Sequence, residues 1–418
     1  MKVATKLLYI LKNNIIFIIG TALLVFKGLL LNYLIGLEFE KDVIWYLLSA
    51  SLLIMSPTIN CKNKFGYIYM NVVYFIVSII IYSNFLYYSY STNFLSFYQI
   101  ENLKYAKEIG TGLAYVINIQ NFATFLTDNI VVAILSILSY KKFQKTYYKN
   151  RIMKAIIIIA LIYLNCSIIK NDINGIYASK SYNKSLIVQS ASIYYYHYED
   201  ARDYFSNLMR TPEIDVERLT TAYEENISQK PIETEYTGVA KGDNVIILQL
   251  ESLNQYVIGK TVNGKEITPN LNKFFGENIY CTDMYNQGLG STADSEFEME
   301  NSMYPLENGY VFQKYYGNTW YDIYSTLKNA GYYTSFMHPN TSTFWNREAV
   351  YNEGYNIDEY DDITMFPDIE RAGEFYSDEG FLDEAVNIMS NYEGNFCTTL
   401  VTVTTHIAFS LDGISVLD

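Results

Sequence analysis

Two textures of apolar and polar positions divide the chain. Up to about residue 170 the apolar residues run in long blocks broken by short polar stretches. Beyond about residue 244 they come in short runs that alternate with helical patterns. A bilayer core about 30 Å thick is crossed by roughly 20 apolar helical residues, so the first texture predicts five membrane spans, near 14–36, 43–60, 67–90, 121–140 and 152–169. The first block is too long for a cleaved signal peptide, is followed directly by another span and lacks a small-residue cleavage site, so it reads as an anchor. Two charges, Lys27 and Asp128, fall within these blocks, where a charge is costly and often functional; snorkelling or a frayed boundary would also place them there.

After the fifth block comes a polar, Tyr-rich stretch to about residue 240. Within it Ile193 to Met209 has the mixed three and four spacing of an amphipathic helix, which would lie on the membrane surface or against the next domain. Pro212 opens another helical pattern through Glu225, and Pro231 and Gly238 mark a linker. From residue 244 the pattern changes. Val245 to Leu250 is a short, nearly continuous apolar run of the kind found in a parallel strand buried on both faces. Tyr332 to Met337 and Phe396 to Val403 are further runs of that kind, with helical patterns near 268–276, 294–303, 319–330 and 379–391. The texture is α/β, and the expected organisation is a membrane domain over 1–170, a helical linker over 171–240 and an α/β domain over 241–418.

Charge sharpens this division. Residues 1–170 hold 16 Lys/Arg against 6 Asp/Glu, and the remaining residues hold 14 against 38, which together give the net charge of −14. The acidic second half disfavours nucleic acid as a partner, because tracking phosphates requires a basic stripe. With the N-terminus inside, ten Lys/Arg fall in cytoplasmic segments (Lys2, Lys6, Lys12, Lys62, Lys64, Lys141, Lys142, Lys145, Lys149, Arg151) and three in outer loops (Lys41, Lys104, Lys107). The positive-inside rule then sets a cytoplasmic N-terminus, and an odd number of spans leaves the second half outside the cell. The four cysteines show no paired spacing, so they suggest neither a zinc site nor a disulfide framework.

In parallel α/β sheets ligands bind outside the carboxyl ends of the strands. Glu251, His338 and His406 stand at those ends, and the chain has only three histidines. Between the first two lies Gly288-Leu289-Gly290-Ser291-Thr292-Ala293-Asp294-Ser295-Glu296-Phe297. Thr292 sits just ahead of an apolar-periodic helix, where free backbone N–H groups and the helix dipole favour an anion. Taken alone, Ser291 or Thr292 would also serve as an ordinary helix N-cap.

These residues resemble a known family. Leu250-Glu251-Ser252, the stretch from Val262 through Thr268-Pro269-Asn270 to Lys273, Gly290-Ser291-Thr292-Ala293-Asp294-Ser295-Glu296-Phe297 and Thr343-Phe344-Trp345-Asn346-Arg347 are similar to the lipoteichoic acid synthases. Those are polyglycerolphosphate polymerases of Gram-positive bacteria in the sulfatase and alkaline-phosphatase-like superfamily. The resemblance implies a five-span membrane domain followed by an extracellular α/β sulfatase-like domain, anchored in the cell membrane. It further implies Mn²⁺, or Mg²⁺ in its place, held by Glu251 and Thr292, with Thr292 as the nucleophile toward phosphatidylglycerol. Glycerol phosphate would then pass to a glycolipid or polyglycerolphosphate acceptor. His338, Trp345, Arg347 and His406 match residues that line the family's substrate pocket, with Arg347 offering a fork for phosphate oxygens. A true sulfatase is disfavoured, because Thr292 is followed by Ala-Asp-Ser-Glu rather than by a formylglycine motif.

Two positions depart from the family pattern. Asn340 stands where an aspartate is common, and the downstream Asp-His pair that would complete the metal site is missing, since only 12 residues follow His406. The sequence therefore suggests a fragment, or a naturally shortened relative, with little activity of its own. Two other readings stay open: transfer of phosphoethanolamine or another phospholipid headgroup, and an inactive membrane-anchored binding protein.

Overall fold

The computed structural model describes residues 14–60, 64–91, 93–99, 117, 119–143, 151–180, 183–209, 216–228, 232–285, 288, 291–306, 308–373 and 375–406. The chain forms two compact units, residues 1–208 and 209–418.

The first unit is helical: α1 (Ile15–Leu34), α2 (Val43–Met55), α3 (Lys64–Ser91), α4 (Ile119–Phe143), α5 (Arg151–Ile168), α6 (Asn174–Lys180), α7 (Lys184–Ala191) and α8 (Ile193–Met209). Among its described residues, four apolar helices are long enough to cross a membrane. The second predicted block, near 43–60, is shorter: α2 has 13 residues, or about 20 Å of helix, and runs into a tight turn over Ser56–Thr58 at Pro57. It packs against α1 and α5. The approach to α1 is close, since a Cβ at Gly20 would collide with Met55 and one at Gly28 with Leu47. Long apolar faces of α3, α4 and α5 stay exposed, as lipid-facing helices require.

Lys27 and Asp128 meet inside this bundle. The Lys27 ammonium is fully buried and lies 2.8 Å from Asp128 Oδ2. It also donates to the Phe125 carbonyl, while the Tyr74 hydroxyl donates to Asp128 Oδ2 at 2.6 Å. Neither charge snorkels out of the bundle; each is paired across helices, the arrangement that lowers the cost of a charge in hydrocarbon.

Helices α6 to α8, which the sequence reading assigned to a linker, belong to this same unit. Asn183 caps α7 by accepting from Ser185 and Leu186 N–H, and Ser192 at φ 80° breaks the chain before α8. Tyr195 and Tyr196 of α8 are buried. Tyr195 donates to Asn165 at 2.6 Å and Tyr194 donates to the Leu24 carbonyl at 2.6 Å. The helix is amphipathic, but its aromatic face is used inside the helical unit.

The second unit carries α9 (Val216–Ser228), β1 (Val245–Gln249), α10 (Pro269–Glu277), α11 (Thr292–Asn301), α12 (Ile323–Asn329), β2 (Tyr333–Met337), β3 (Glu359–Asp361), α13 (Asp378–Met389) and β4 (Phe396–Val401), with two small antiparallel ribbons. The four strands form one parallel sheet in the order β1-β4-β2-β3. The register pairs Ile247 with Thr399 and Ser335 with Thr398. The central strand β4 is buried along its whole length, because α/β crossovers cover both faces of an interior strand. The expectation that β1 is buried on both faces is corrected: among the described residues it is an outer strand of the sheet, and Ile246 and Leu248 are about half exposed. The edge strand β3 has only three residues, two of them acidic, and carries no apolar run from which it could be read.

Candidate active site

All four strands run the same way, so their carboxyl ends share one rim, and Glu251 and His338 stand on it. Glu251 follows β1 through a turn in which Ser252 adopts φ 54°. Its backbone N–H donates to Thr402 Oγ1 at 2.9 Å, and Ser252 Oγ donates to its Oε1 at the same distance. The Glu251 backbone is thereby tied to the chain that leaves β4.

The opposite wall is the start of α11. Ser291 performs the N-cap, accepting from the Asp294 N–H at 3.1 Å, so Thr292 is the first helical residue and its hydroxyl is free of capping. That hydroxyl donates to Glu251 Oε2 at 2.7 Å. An alcohol bonded to a carboxylate at a helix N-terminus has a proton acceptor beside it and backbone donors nearby for a developing anion. The sequence brought these two residues near the rim; the fold puts them in contact across 41 positions.

His338 lies beyond β2, almost fully buried, with Nδ1 at 2.9 Å from the Val401 carbonyl. A carbonyl only accepts, so Nδ1 carries the proton and Nε2 presents a lone pair. Burial, and next the Arg347 charge, hold this imidazole well below the usual histidine range, against the pull of the Val401 carbonyl. It is neutral, and Nε2 offers an acceptor rather than the donated proton expected of a pocket histidine. The His406 ring rests on Phe375 at 5.1 Å.

Trp345 is half-buried with its ring edge-on to Tyr310 at 4.4 Å. It and Asn346 have left-handed backbones, φ 62° and 57°, a conformation that costs a bulky residue about 1–3 kcal/mol and persists only where its surroundings enforce it. Arg347 follows, 1% exposed. Its Nε lies 3.1 and 3.0 Å from the two oxygens of Glu296, and its Nη2 lies 2.6 Å from Oε1. Burial works against this charge, but Glu296 holds the guanidinium above its ordinary pKa. The fork expected to meet a phosphate is thus largely filled by a carboxylate. Asn340 bonds locally, its Oδ1 accepting from Thr341 N–H at 2.8 Å.

Glu296 and Asp361 were missed by the sequence reading. Glu296 is wholly buried one turn beyond Thr292, and only the i, i+4 spacing on a helix could have flagged it. Tyr351 bridges it to Glu300, with its hydroxyl 3.0 Å from Glu296 and 2.6 Å from Glu300. Burial, then the Glu296 charge, push the Glu300 carboxyl well above the usual range. Asp361 ends β3, where its carbonyl accepts from the His338 N–H at 3.0 Å; burial, then Glu359, push its carboxyl up to about 6.

The donor set bears on the expected cation. Glu251 and Thr292 offer hard oxygens of the kind Mn²⁺ and Mg²⁺ take, but among the described residues no three His, Cys, Asp or Glu side chains cluster as a metal site needs. The two oxygens fit one part of a coordination shell.

Residues 1–211 match the family described as the lipoteichoic acid synthase N-terminal domain, and residues 243–413 match the sulfatase family. The chain belongs to the lipoteichoic acid synthase family. It is similar to lipoteichoic acid synthase 2 of Bacillus subtilis, at 30% identity over 95% of this chain and 63% of the relative. The lipoteichoic acid synthase of Staphylococcus aureus is 27% identical over 86% of this chain and 57% of its own length. Among solved structures, a lipoteichoic acid synthase from Listeria monocytogenes matches at 27% identity and a TM-score of 0.41, covering 45% of this chain and 47% of the other. The chain spans about three fifths of the curated relatives it matches. With its apolar helices and this membership, it is a multi-pass membrane protein.

Proposed function

We propose that this protein takes part in glycerol phosphate transfer from phosphatidylglycerol to a glycolipid or polyglycerolphosphate acceptor, through a phosphothreonine at Thr292, on the outer face of the cell membrane. The observation that carries the reading is the 2.7 Å bond between the Thr292 hydroxyl and Glu251 at the start of α11. The curated relatives are lipoteichoic acid synthases, and the positive-inside count supports the outer placement.

In the first half-reaction Thr292 Oγ forms a bond to the phosphorus of phosphatidylglycerol and the bond to the diacylglycerol oxygen breaks. The Thr292 proton passes toward Glu251, and diacylglycerol leaves as an alcohol after taking up a proton. In the second, the acceptor's terminal hydroxyl attacks the same phosphorus and Thr292 is released with its proton restored. His338 accepts, through Nε2, from a glycerol or acceptor hydroxyl, while Trp345, Arg347 and His406 surround the phosphoglycerol unit. Glu251 and Thr292 would hold Mn²⁺ or Mg²⁺, whose charge makes an alkoxide accessible near neutral pH.

The test incubates the protein and its Thr292→Ala variant with fluorescent phosphatidylglycerol and Mn²⁺. Diacylglycerol release with a glycerophosphate adduct on the protein, both lost in the variant, supports the reading. Release unaffected by Thr292→Ala refutes the nucleophile. Release from phosphatidylethanolamine alone would assign a different headgroup, and no turnover of either lipid would favour a binding role.

A further inference from the structure

We infer that Glu296 is a positioning residue that aims the guanidinium of Arg347 at the phosphate of the substrate, an inference that rests on the phosphoglycerol reading of this site. Glu296 occupies Nε and Nη2 of Arg347 through contacts of 3.1, 3.0 and 2.6 Å. That leaves Nη1 as the guanidinium nitrogen with no acceptor, although it is enclosed. A buried N–H without a partner is costly, and an anion placed against Nη1 would satisfy it by a charge-assisted bond.

The orientation of the fork is set by a rigid surround. Glu296 is wholly buried and lies one turn after Thr292 on α11, so one helix carries both the nucleophilic hydroxyl and the carboxylate that fixes the arginine. The Tyr351 hydroxyl lies 3.0 Å from Glu296 and 2.6 Å from Glu300, and the Tyr324 hydroxyl lies 2.7 Å from Glu300. On the other side Arg347 follows the two left-handed residues Trp345 and Asn346, so its backbone has little freedom to turn the side chain elsewhere. Glu296 stands one turn beyond Thr292 on α11 and holds Arg347 Nη2 at 2.6 Å, so the guanidinium lies near the nucleophilic hydroxyl. Glu296 therefore acts through Arg347, converting a flexible cation into a donor of fixed direction.

The test titrates glycerol phosphate calorimetrically into the full chain in detergent micelles, for wild type, Glu296→Gln, Arg347→Gln and the double variant. Glu296→Gln and Arg347→Gln should each weaken binding about tenfold, and the double variant no more than either, because both act at one contact. A purely structural role for Glu296 would add its loss to that of Arg347. Wild-type or tighter binding by Glu296→Gln, or additive losses, overturns the inference, as does an Arg347→Gln variant that binds normally, which leaves the wider site reading intact. Absence of binding by the wild type overturns both. Should Glu296→Gln fail to fold, Glu296→Asp keeps the charge and retracts the carboxylate by one methylene. A severalfold loss then supports the inference, and wild-type affinity overturns it.

Discussion

The ion pair inside the helical unit makes an asymmetric prediction. Lys27 is 0% exposed, whereas the Asp128 side chain keeps 31% of its surface open. Lys27→Met leaves Asp128 with the Tyr74 hydroxyl at 2.6 Å and about a third of its side chain already outside the packed interior. Asp128→Asn instead leaves a sealed ammonium with the Phe125 carbonyl and a neutral amide. An uncompensated charge at mid-membrane depth costs about 3 kcal/mol on insertion scales, and breaking a buried pair costs about 3–5 kcal/mol. Asp128→Asn should therefore lose the full amount and Lys27→Met roughly half of it. The double variant should recover most of the stability, because both charges are gone. For a unit of this size, 1 kcal/mol corresponds to about 2–4 °C, so Asp128→Asn should melt about 6–20 °C below wild type. The assay is thermal unfolding of the purified protein in detergent, followed by loss of the monodisperse peak on size exclusion. A double variant no more stable than Asp128→Asn, or a Lys27→Met that melts lower than Asp128→Asn, would refute the pairing argument.

Other outcomes follow from the second unit. Ser291→Ala removes the side chain that caps α11 and should cost about 1 kcal/mol in urea unfolding, read through Trp320 and Trp345, which pack on this unit's core. A loss below about 0.3 kcal/mol would mean that Thr292 takes over the cap. Asp361 has its folded pKa raised from 3.8 to about 6, so its contribution to stability is fully present below about pH 3.8 and is lost as pH rises through about 6. Asp361→Asn should accordingly match wild type near pH 4 and gain on it up to about pH 6, by at most about 3 kcal/mol, with a flat difference above. A gap that is constant across pH would reject this assignment. Glu296→Ala exposes the other buried pair and should destabilise the second unit by about 3–5 kcal/mol, whereas replacing Glu296 and Arg347 together by Leu and Met should cost far less. Equal losses in urea titrations would show that the charges are not what the pair holds.

Much of this protein is legible in local sequence because hydropathy and periodicity act over a single helix or strand. The apolar blocks lie on five helices of the first unit, and the runs at Val245, Tyr332 and Phe396 became strands of one parallel sheet. Strand ends in such a sheet gather at one rim, so Glu251 and His338 could be singled out before any contact was known. Contacts between distant positions were not legible. Whether Lys27 snorkels or pairs depends on Asp128, 101 positions away. Whether Arg347 faces solvent or a carboxylate depends on Glu296, 51 positions earlier. The amphipathic pattern of α8 showed an apolar face but not what covers it; tyrosines bonded to Leu24 and Asn165 decided that. The outer position of β1 among the described strands follows from strand order, which crossover connections set and no single run of residues encodes. Sequence thus determined which segments leave water and which residues reach the rim, since both follow from local periodicity. Tertiary structure decided which charges are neutralised and by whom, because a buried charge is stable only with a partner that the rest of the chain delivers.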